Sequence, residues 1–545
     1  MSDKTFDPVS LGIMWDRLIS IVDEIVSTLV RTSFSTIVNE SYDLTCVVLD
    51  ADANSIAQGT FSVPVFIGSA PITLRHMLKR YPAETLKPGD VIITNDPWLG
   101  TGHLYDITMV RPVFRKGRIV AYTLSISHLP DVGGSGFGSS AAEVYHEGLR
   151  LPICKLYDEG RLNELLMEII RTNVRVPEQV IGDVMANVAC NEVGGREILA
   201  FMDEYGLDNL TALSAAIRGQ SEAAMRAKIR ELGQGTYHNR MQVEGFDGPC
   251  DYVVRIDIKG DSIAFDFTGT SGCVRAGVNV PFCYTNAMAL HAIKSLLLPT
   301  IPNNAGSIAP ISVFAPTGCI LNAQPPFATG GRHAMGHFVT PLVYGALAEA
   351  APDRVQAGSG MMNLVTFQGT RRDGRPFSTI YFAAGGYGAL RDLDGRCTLP
   401  HPSNMAVVPV EVWETLTHTT IESKNLVPDS GGPGRWRGGL GQDVVLRNDT
   451  GHPVITLGMG NRTMFPACGM FAGGDGAVRV HAIDGKPVHA KGRNELAPGQ
   501  RMRIVEAGGG GYGDPNARAP AAVAEDVAQG YVTAGAARDI YGLEG

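Results

Sequence analysis

The sequence predicts an α+β protein. It reads as one large mixed assembly, with an N-terminal α/β part that carries a prominent β-hairpin and a mainly β C-terminal half. Three observations predict this. Apolar residues recur at helical spacing over 8–33 and again through 160–232. Strands with alternating polarity flank a short turn at 115–118. Beyond about 305, apolar strands alternate with turns rich in the chain's 65 glycines.

The elements follow in order. Asp7-Pro8 is a helix start, a capping carboxylate followed by proline at the first helical position. Leu11, Met14, Leu18, Ile21, Val22, Ile25 and Leu29 then line one face, with Asp16, Arg17, Asp23 and Glu24 on the other. Residues 43–58 read as strand, Asp/Asn turn, strand, and 70–81 as a helix that ends before Pro82. GDVIITND (89–96) gives a short buried strand. DITMVRPVF (106–114) and IVAYTLSIS (119–127) form a hairpin around Arg-Lys-Gly-Arg at 115–118.

Residues 250–268 give two strands, 280–298 a buried helix, and 336–350 a helical interruption of the β half. The tail, 519–541, gives two short helices broken at Gly530. No fixed-period repeat and no Ser/Pro-rich linker marks a boundary, so the division is soft. It gives an N-terminal α+β region at 1–240, a mainly β region at 241–518 and a helical tail at 519–545.

Composition excludes several function classes. A net charge of −9 leaves no basic footprint for nucleic acid. The N-terminus, MSDKTFDPVS, lacks the apolar core of a signal peptide. No stretch reaches the roughly 20 apolar residues that span a bilayer; 286–297, for example, contains His291 and Lys294. Nine scattered cysteines without a CxxC pair fit reduced thiols, so the expected location is the cytoplasm. GxxxxGK[ST] and GxSxG are absent, which argues against a P-loop and an α/β-hydrolase elbow. Gly508, Gly510 and Gly513 match GxGxxG, but Asp514-Pro515 follows at once and opposes a helix there.

The chemistry concentrates at NDPWLGTGHLYDITMV (95–110) and SHLPDVGGSG (127–136). His103 and Asp106 stand in an HxxD arrangement, and His128 and Asp131 repeat it. With the turn at Lys116-Gly117, the hairpin sets Asp106 opposite residue 127, beside His128. The preceding loop brings His103 over the same end. Two imidazoles and a carboxylate suit a divalent metal that keeps open positions, with zinc, manganese and iron all admissible. Such an ion lowers the pKa of a water or polarises a carbonyl. Asp131 is a candidate catalytic residue, either orienting a ligand histidine or acting as a base. The bland alternative is a set of polar loop residues capping strand ends.

ITNDPWLGTGHLYDITMVRPVF, SHLPDVGG and EGLRLP together resemble the hydantoinase B/oxoprolinase family. The resemblance continues through TNVRVPEQVIGDVMANVA, FDFTGTS, GVNVPFCYTNAMAL, PDSGGPGRWRGGLG and GGGGYGDP, and so covers nearly the whole chain. That family includes B-type subunits of N-methylhydantoinases and lactamases, the corresponding part of 5-oxoprolinase, and related subunits of acetone and acetophenone carboxylases. The resemblance places the family's metal site on His103, Asp106 and His128, with Asp43 as a fourth ligand. It also marks His146, where the family often has glutamine, as a second candidate catalytic residue facing substrate; a surface or core histidine is the plain reading.

It further implies an A-type partner subunit with an actin-like ATPase fold, which holds ATP and magnesium and phosphorylates the substrate. The implied function is that of a B-type subunit of an ATP-dependent cyclic amidohydrolase opening a hydantoin, oxoproline or lactam ring. A ketone carboxylase subunit is one alternative, and a non-catalytic scaffold for the A-type partner another. Three features stand outside this assignment. Arg332, His333 and His337 suit an anionic group or simply begin a helix. The glycine runs 385–388 and 430–441 suit turns and subunit packing.

Overall fold

In the computed structural model, which describes residues 6–403 and 405–543, the first helix is Pro8–Thr32. The Asp7 carboxylate accepts from the backbone N–H of Val9 and Ser10 at 3.1 and 3.0 Å, which satisfies donors the helix leaves open. Its predicted apolar face is buried and packs along a second long helix, Pro177–Glu204.

Seven strands form the sheet beneath these helices. They are β1 (Leu44–Asp50), β2 (Ser55–Gln58), β3 (Val91–Thr94), β4 (Asp106–Arg115), β5 (Arg118–His128), β6 (Cys154–Asp158) and β7 (Arg161–Leu162). All neighbours are antiparallel, in the order β2-β1-β5-β4-β3-β6-β7. β1 shows why its sequence is almost continuously apolar. Leu44, Cys46 and Val48 join the helices' core, while Val47 and Leu49 face the core on the opposite side. The site described below sits at the end of β4 and β5, between this sheet and the second half of the chain.

The helices Glu164–Asn173, Pro177–Glu204 and Thr211–Glu231 fill the stretch predicted to be helical. A four-stranded sheet follows (Gly235–Glu244, Pro249–Lys259, Ser262–Asp266 and Ile311–Phe314), with the buried helix Phe282–Leu297. The helix predicted at 336–350 is two pieces, Arg332–Gly336 and Val339–Ala346. The main apolar core draws from Ile37 through Met459 and so runs across residue 240. In the C-terminal half, Met362–Thr370 and Gln442–Asn448 belong to separate sheets that share a core around Phe367, Phe377, Trp413, Val444 and Met502.

Glycine explains the remainder of that half. Segments 385–388, 430–441, 468–476 and 507–512 lie backbone against backbone, joined by bonds such as Gly509 N–H to Gly439 O (2.9 Å) and Gly432 N–H to Gly509 O (2.7 Å). A Cβ on Gly386 would collide with the Gly439 backbone, and one on Gly438 with that of Gly509. The tail helices, Pro520–Ala528 and Ala534–Tyr541, are separated at Gly530 as predicted. Arg518 fastens the tail by bridging Asp394 and Asp526 (2.7 Å each). Among the described residues, no helix is long and apolar enough to cross a membrane. All nine cysteines are free thiols.

Candidate metal centre

Lys116 and Gly117, with φ of 48° and 75°, close the β4–β5 hairpin in the left-handed conformation that suits the twist of antiparallel strands. At the turn, Arg115 pairs with Arg118 and Phe114 with Ile119, as the sequence predicts. A bulge between Val113 and Phe114 then shifts the register by one residue. Asp106 therefore lies directly opposite His128, rather than opposite Ser127.

The loop that delivers His103 is pinned by its own sequence. Asn95 donates to Leu104 O and Leu149 O (2.7 and 2.9 Å) and accepts from Leu151 N–H (2.6 Å). Asp96 pairs with Arg150 (2.5 Å), and the Trp98 indole donates to Ala323 O (2.8 Å). Thus NDPW and EGLRLP, far apart in sequence, are two sides of one joint.

Ligand-capable atoms of His103, Asp106 and His128 lie within 4.8 Å of one another, and the three residues are only 2–3% exposed. His103 Nδ1 lies 3.1 Å from Gly330 O and donates to it, which directs the Nε2 lone pair inward. That Nε2 is 3.0 Å from Asp106 Oδ1, without hydrogen-bond geometry, and has no other polar partner among the described residues. Among the described residues, neither ring nitrogen of His128 has a partner. Two buried acceptors this close repel unless a cation lies between them. The arrangement therefore fits a divalent ion.

The electrostatics agree. Burial pushes the His128 pKa down to about 3, aided by His103 and Arg332. Burial, then Arg332, lowers His103 as well. Both rings are thus neutral at neutral pH. Burial alone would raise the Asp106 carboxyl, but His103, charged at the low pH where this carboxyl titrates, and Arg332 together outweigh it and hold it well below the usual carboxylate range. Asp106 Oδ2 accepts from Arg332 Nη2 (2.7 Å) and Thr101 Oγ1 (2.6 Å), leaving Oδ1 to face the rings. Arg332 also lies over the Tyr284 ring, 4.0 Å from its centre.

These groups line a cavity of ≈ 30 Å³ whose other walls include Asp43, Phe137, His333, His337 and Ser403. Every lining residue is buried. That volume admits water but is too small for a cyclic substrate.

The model of the hydantoinase B/oxoprolinase family matches residues 7–515. The chain belongs to this family. As a hydantoinase B/oxoprolinase protein it is 29% identical to the B-type subunit of a putative D-/L-hydantoinase of Pseudomonas sp. strain NS671, over 99% of this chain and 95% of that one. It is 30% identical to the beta chain of caprolactamase from Pseudomonas jessenii, over 99% and 96% of the two chains. The crystal structure of ATP-dependent caprolactamase from Pseudomonas jessenii superposes with a TM-score of 0.92 at 27% identity, covering 99% of this chain and 96% of that one.

Of the residues singled out in this family member's sequence, His103, Asp106 and His128 converge. Asp43 lines the same cavity but stands outside their 4.8 Å group. Its backbone carbonyl accepts from His128 N–H (3.1 Å), and burial, then Asp106, raises its carboxyl well above the ordinary range. Asp131 is buried and makes no hydrogen bond to either ring among the described residues. Its carboxylate pairs with Arg175 Nη1 (2.7 Å) and accepts from the backbone N–H of Gly133 (3.2 Å) and of Arg175. His146 is exposed and brings no side chain to the cavity. Its neighbour Glu147 is the buried one, accepting from Thr329 N–H (2.9 Å) and Gly330 N–H (2.5 Å). Burial, against those two bonds, raises its pKa to about 7. Arg332 serves as the partner of Asp106, which its sequence setting beside glycines did not reveal. His337 Nε2 meets Ser403 Oγ at 3.2 Å, and His333 Nε2 has no partner among the described residues.

Proposed function

We propose that this chain is the metal-holding B-type subunit of an ATP-dependent cyclic amidohydrolase, which opens a lactam, hydantoin or oxoproline ring together with an A-type partner. Its expected setting is the cytoplasm. The observation that carries the reading is the buried trio His103, Asp106 and His128, whose facing acceptor atoms lack partners. Similarity along almost the full length to a hydantoinase chain and a caprolactamase chain supports the class of substrate.

In this reading the partner, an actin-like ATPase, uses ATP to phosphorylate the amide oxygen and so activates a poor electrophile. When bound at the trio, a divalent ion such as zinc, manganese or iron supplies Lewis acidity for the attacking water or the carbonyl. The chain's own residues do the rest. Arg332 and Thr101 keep Asp106 ionised and orient its second oxygen. Gly330 fixes the His103 tautomer. The cavity's apolar wall (Phe66, Phe137, Met362 and Leu364) keeps bulk water from the trio itself. Asp43, across the same cavity, is the candidate fourth ligand. Asp131 acts only through the loop that follows His128.

The test is purification of the chain with an A-type partner, then elemental analysis and turnover of caprolactam, hydantoin and 5-oxoproline with ATP. The expected result is stoichiometric metal and ATP-dependent ring opening, both lost in His103→Ala. Turnover that persists in a metal-free His103→Ala complex would leave only the scaffold role. Carboxylation of acetone or acetophenone in place of ring opening would move the chain to the carboxylase branch.

A further inference from the structure

One short stretch, 329–332, supports two of the three proposed ligands. The Gly330 carbonyl accepts from His103 Nδ1 (3.1 Å). Two residues on, Arg332 holds Asp106 Oδ2 (2.7 Å) and the Thr101 carbonyl (2.6 Å). This stretch is in turn fastened to the segment 143–147. Glu143 and Phe327 pair in an antiparallel bridge, and Val144 N–H donates to Pro326 O (2.9 Å). Glu147 completes the attachment with its side chain: Oε1 accepts from the backbone N–H of both Thr329 and Gly330 (2.9 and 2.5 Å).

Glu147 is an unusual way to fasten a loop. It is only 2% exposed, and among the described residues its Oε2 has no hydrogen-bond partner. Among the described residues no cation pairs with it. A buried carboxylate held by two N–H groups alone is costly. The fit is also close. A Cβ on Gly330 would come within 2.9 Å of Oε1, and one on Gly277 within 3.2 Å. Glu147 makes no hydrogen bond to His103, Asp106 or His128, so whatever it does for them passes through the 329–332 stretch.

We infer that Glu147 is a positioning residue for the metal centre. By fixing Gly330, and Arg332 just after it, it sets the His103 ring and the Asp106 carboxylate in the one relation that lets both meet a single ion. This rests on the metal-centre reading above.

The experiment uses the full chain as it purifies, with Zn²⁺ and Co²⁺ as probes. Affinity is read by chelator competition, ligand geometry by the visible absorption of the Co²⁺ form, and folding by circular dichroism. Wild type should bind one ion per chain and His103→Ala none. Glu147→Ala should bind Zn²⁺ on the order of 10–100-fold more weakly, the usual effect of losing a group that orients a ligand, and should shift the Co²⁺ spectrum. Glu147→Gln keeps an acceptor oxygen in place and should stay within about threefold of wild type. Where Glu147→Ala does not fold, Glu147→Asp, which withdraws the carboxylate by one methylene, is held to the same criterion.

An alanine variant with wild-type affinity and an unchanged spectrum, beside a wild type that binds and a His103→Ala that does not, overturns the role of Glu147 alone. A glutamine variant as weak as the alanine one overturns it too, because position and not charge is claimed. A wild-type chain that takes up neither ion removes the metal-centre reading and this inference with it.

Discussion

Replacing His128 with leucine separates a ligand from a structural histidine. The ring is 3% exposed, stacks on Tyr105 at 5.4 Å, and meets Phe137 edge-on at 4.7 Å. With both nitrogens unpartnered among the described residues, the metal-free protein carries an unsatisfied buried polar group, which costs about 1–3 kcal/mol. Leucine is of similar bulk and carries no polar atom. In chelator, His128→Leu should therefore be as stable as wild type or up to about 1–3 kcal/mol more stable. Metal reverses the order. At roughly 100 times its dissociation constant, an ion adds about 2.7 kcal/mol to a protein that binds it only when folded. An unfolding entropy of roughly 2 cal/mol/K per residue across this chain turns that into a rise of about 2–3 °C. Thermal unfolding with and without Zn²⁺ reads both effects. The reasoning is refuted if the chelated variant loses about 2 kcal/mol or more, or if metal raises both proteins equally.

Other outcomes follow from the same geometry. Arg332→Met leaves Asp106 buried beside Thr101 without its cation, which should cost about 3–5 kcal/mol in chelator, and added Zn²⁺ should restore part of the loss; denaturant unfolding checks both. The Glu147 pKa of about 7 lies above its ordinary 4.5, so the folded state resists the charge and stability falls as pH rises from about 4.5 to 7. Glu147→Gln should thus gain on wild type between about pH 5 and pH 8, by on the order of 1–3 kcal/mol, and an equal stability difference at both pH values would contradict this. His146→Ala, at an exposed position, should change stability by less than about 0.5 kcal/mol and leave metal stoichiometry intact. A loss of metal in that variant would return His146 to the site.

The hairpin was readable because it depends on local rules. Period-2 alternation and a Lys-Gly turn give two strands and their approximate register. The bulge at Val113 was not readable, since no residue type there demands it, and it is what sets Asp106 squarely opposite His128. The first helix announced its own cap and face. Asp7, Pro8 and seven apolar positions act within one element, so spacing suffices. Arg332 and Glu147 act across elements. Their partners are 226 and 182 residues away, and no periodicity links them. His146 drew attention as a histidine beside a family motif, yet the chain turns so that the next residue points inward. The resemblance supplied Asp43, whose place on the cavity wall no spacing rule would have given.

The glycine layer of the C-terminal half has a consequence for how this protein can diverge. A core of side chains absorbs change by exchanging volume, a methyl lost at one position being matched at another. Segments that touch main chain to main chain have nothing to exchange. One added carbon at Gly386 or Gly438 must drive whole strands apart. Random replacement across 430–441 and 507–512 should therefore return few folded clones, while equally buried positions such as Val444 or Leu446 accept other aliphatic residues. Variation in this protein is channelled away from its barest residues and into its bulkiest.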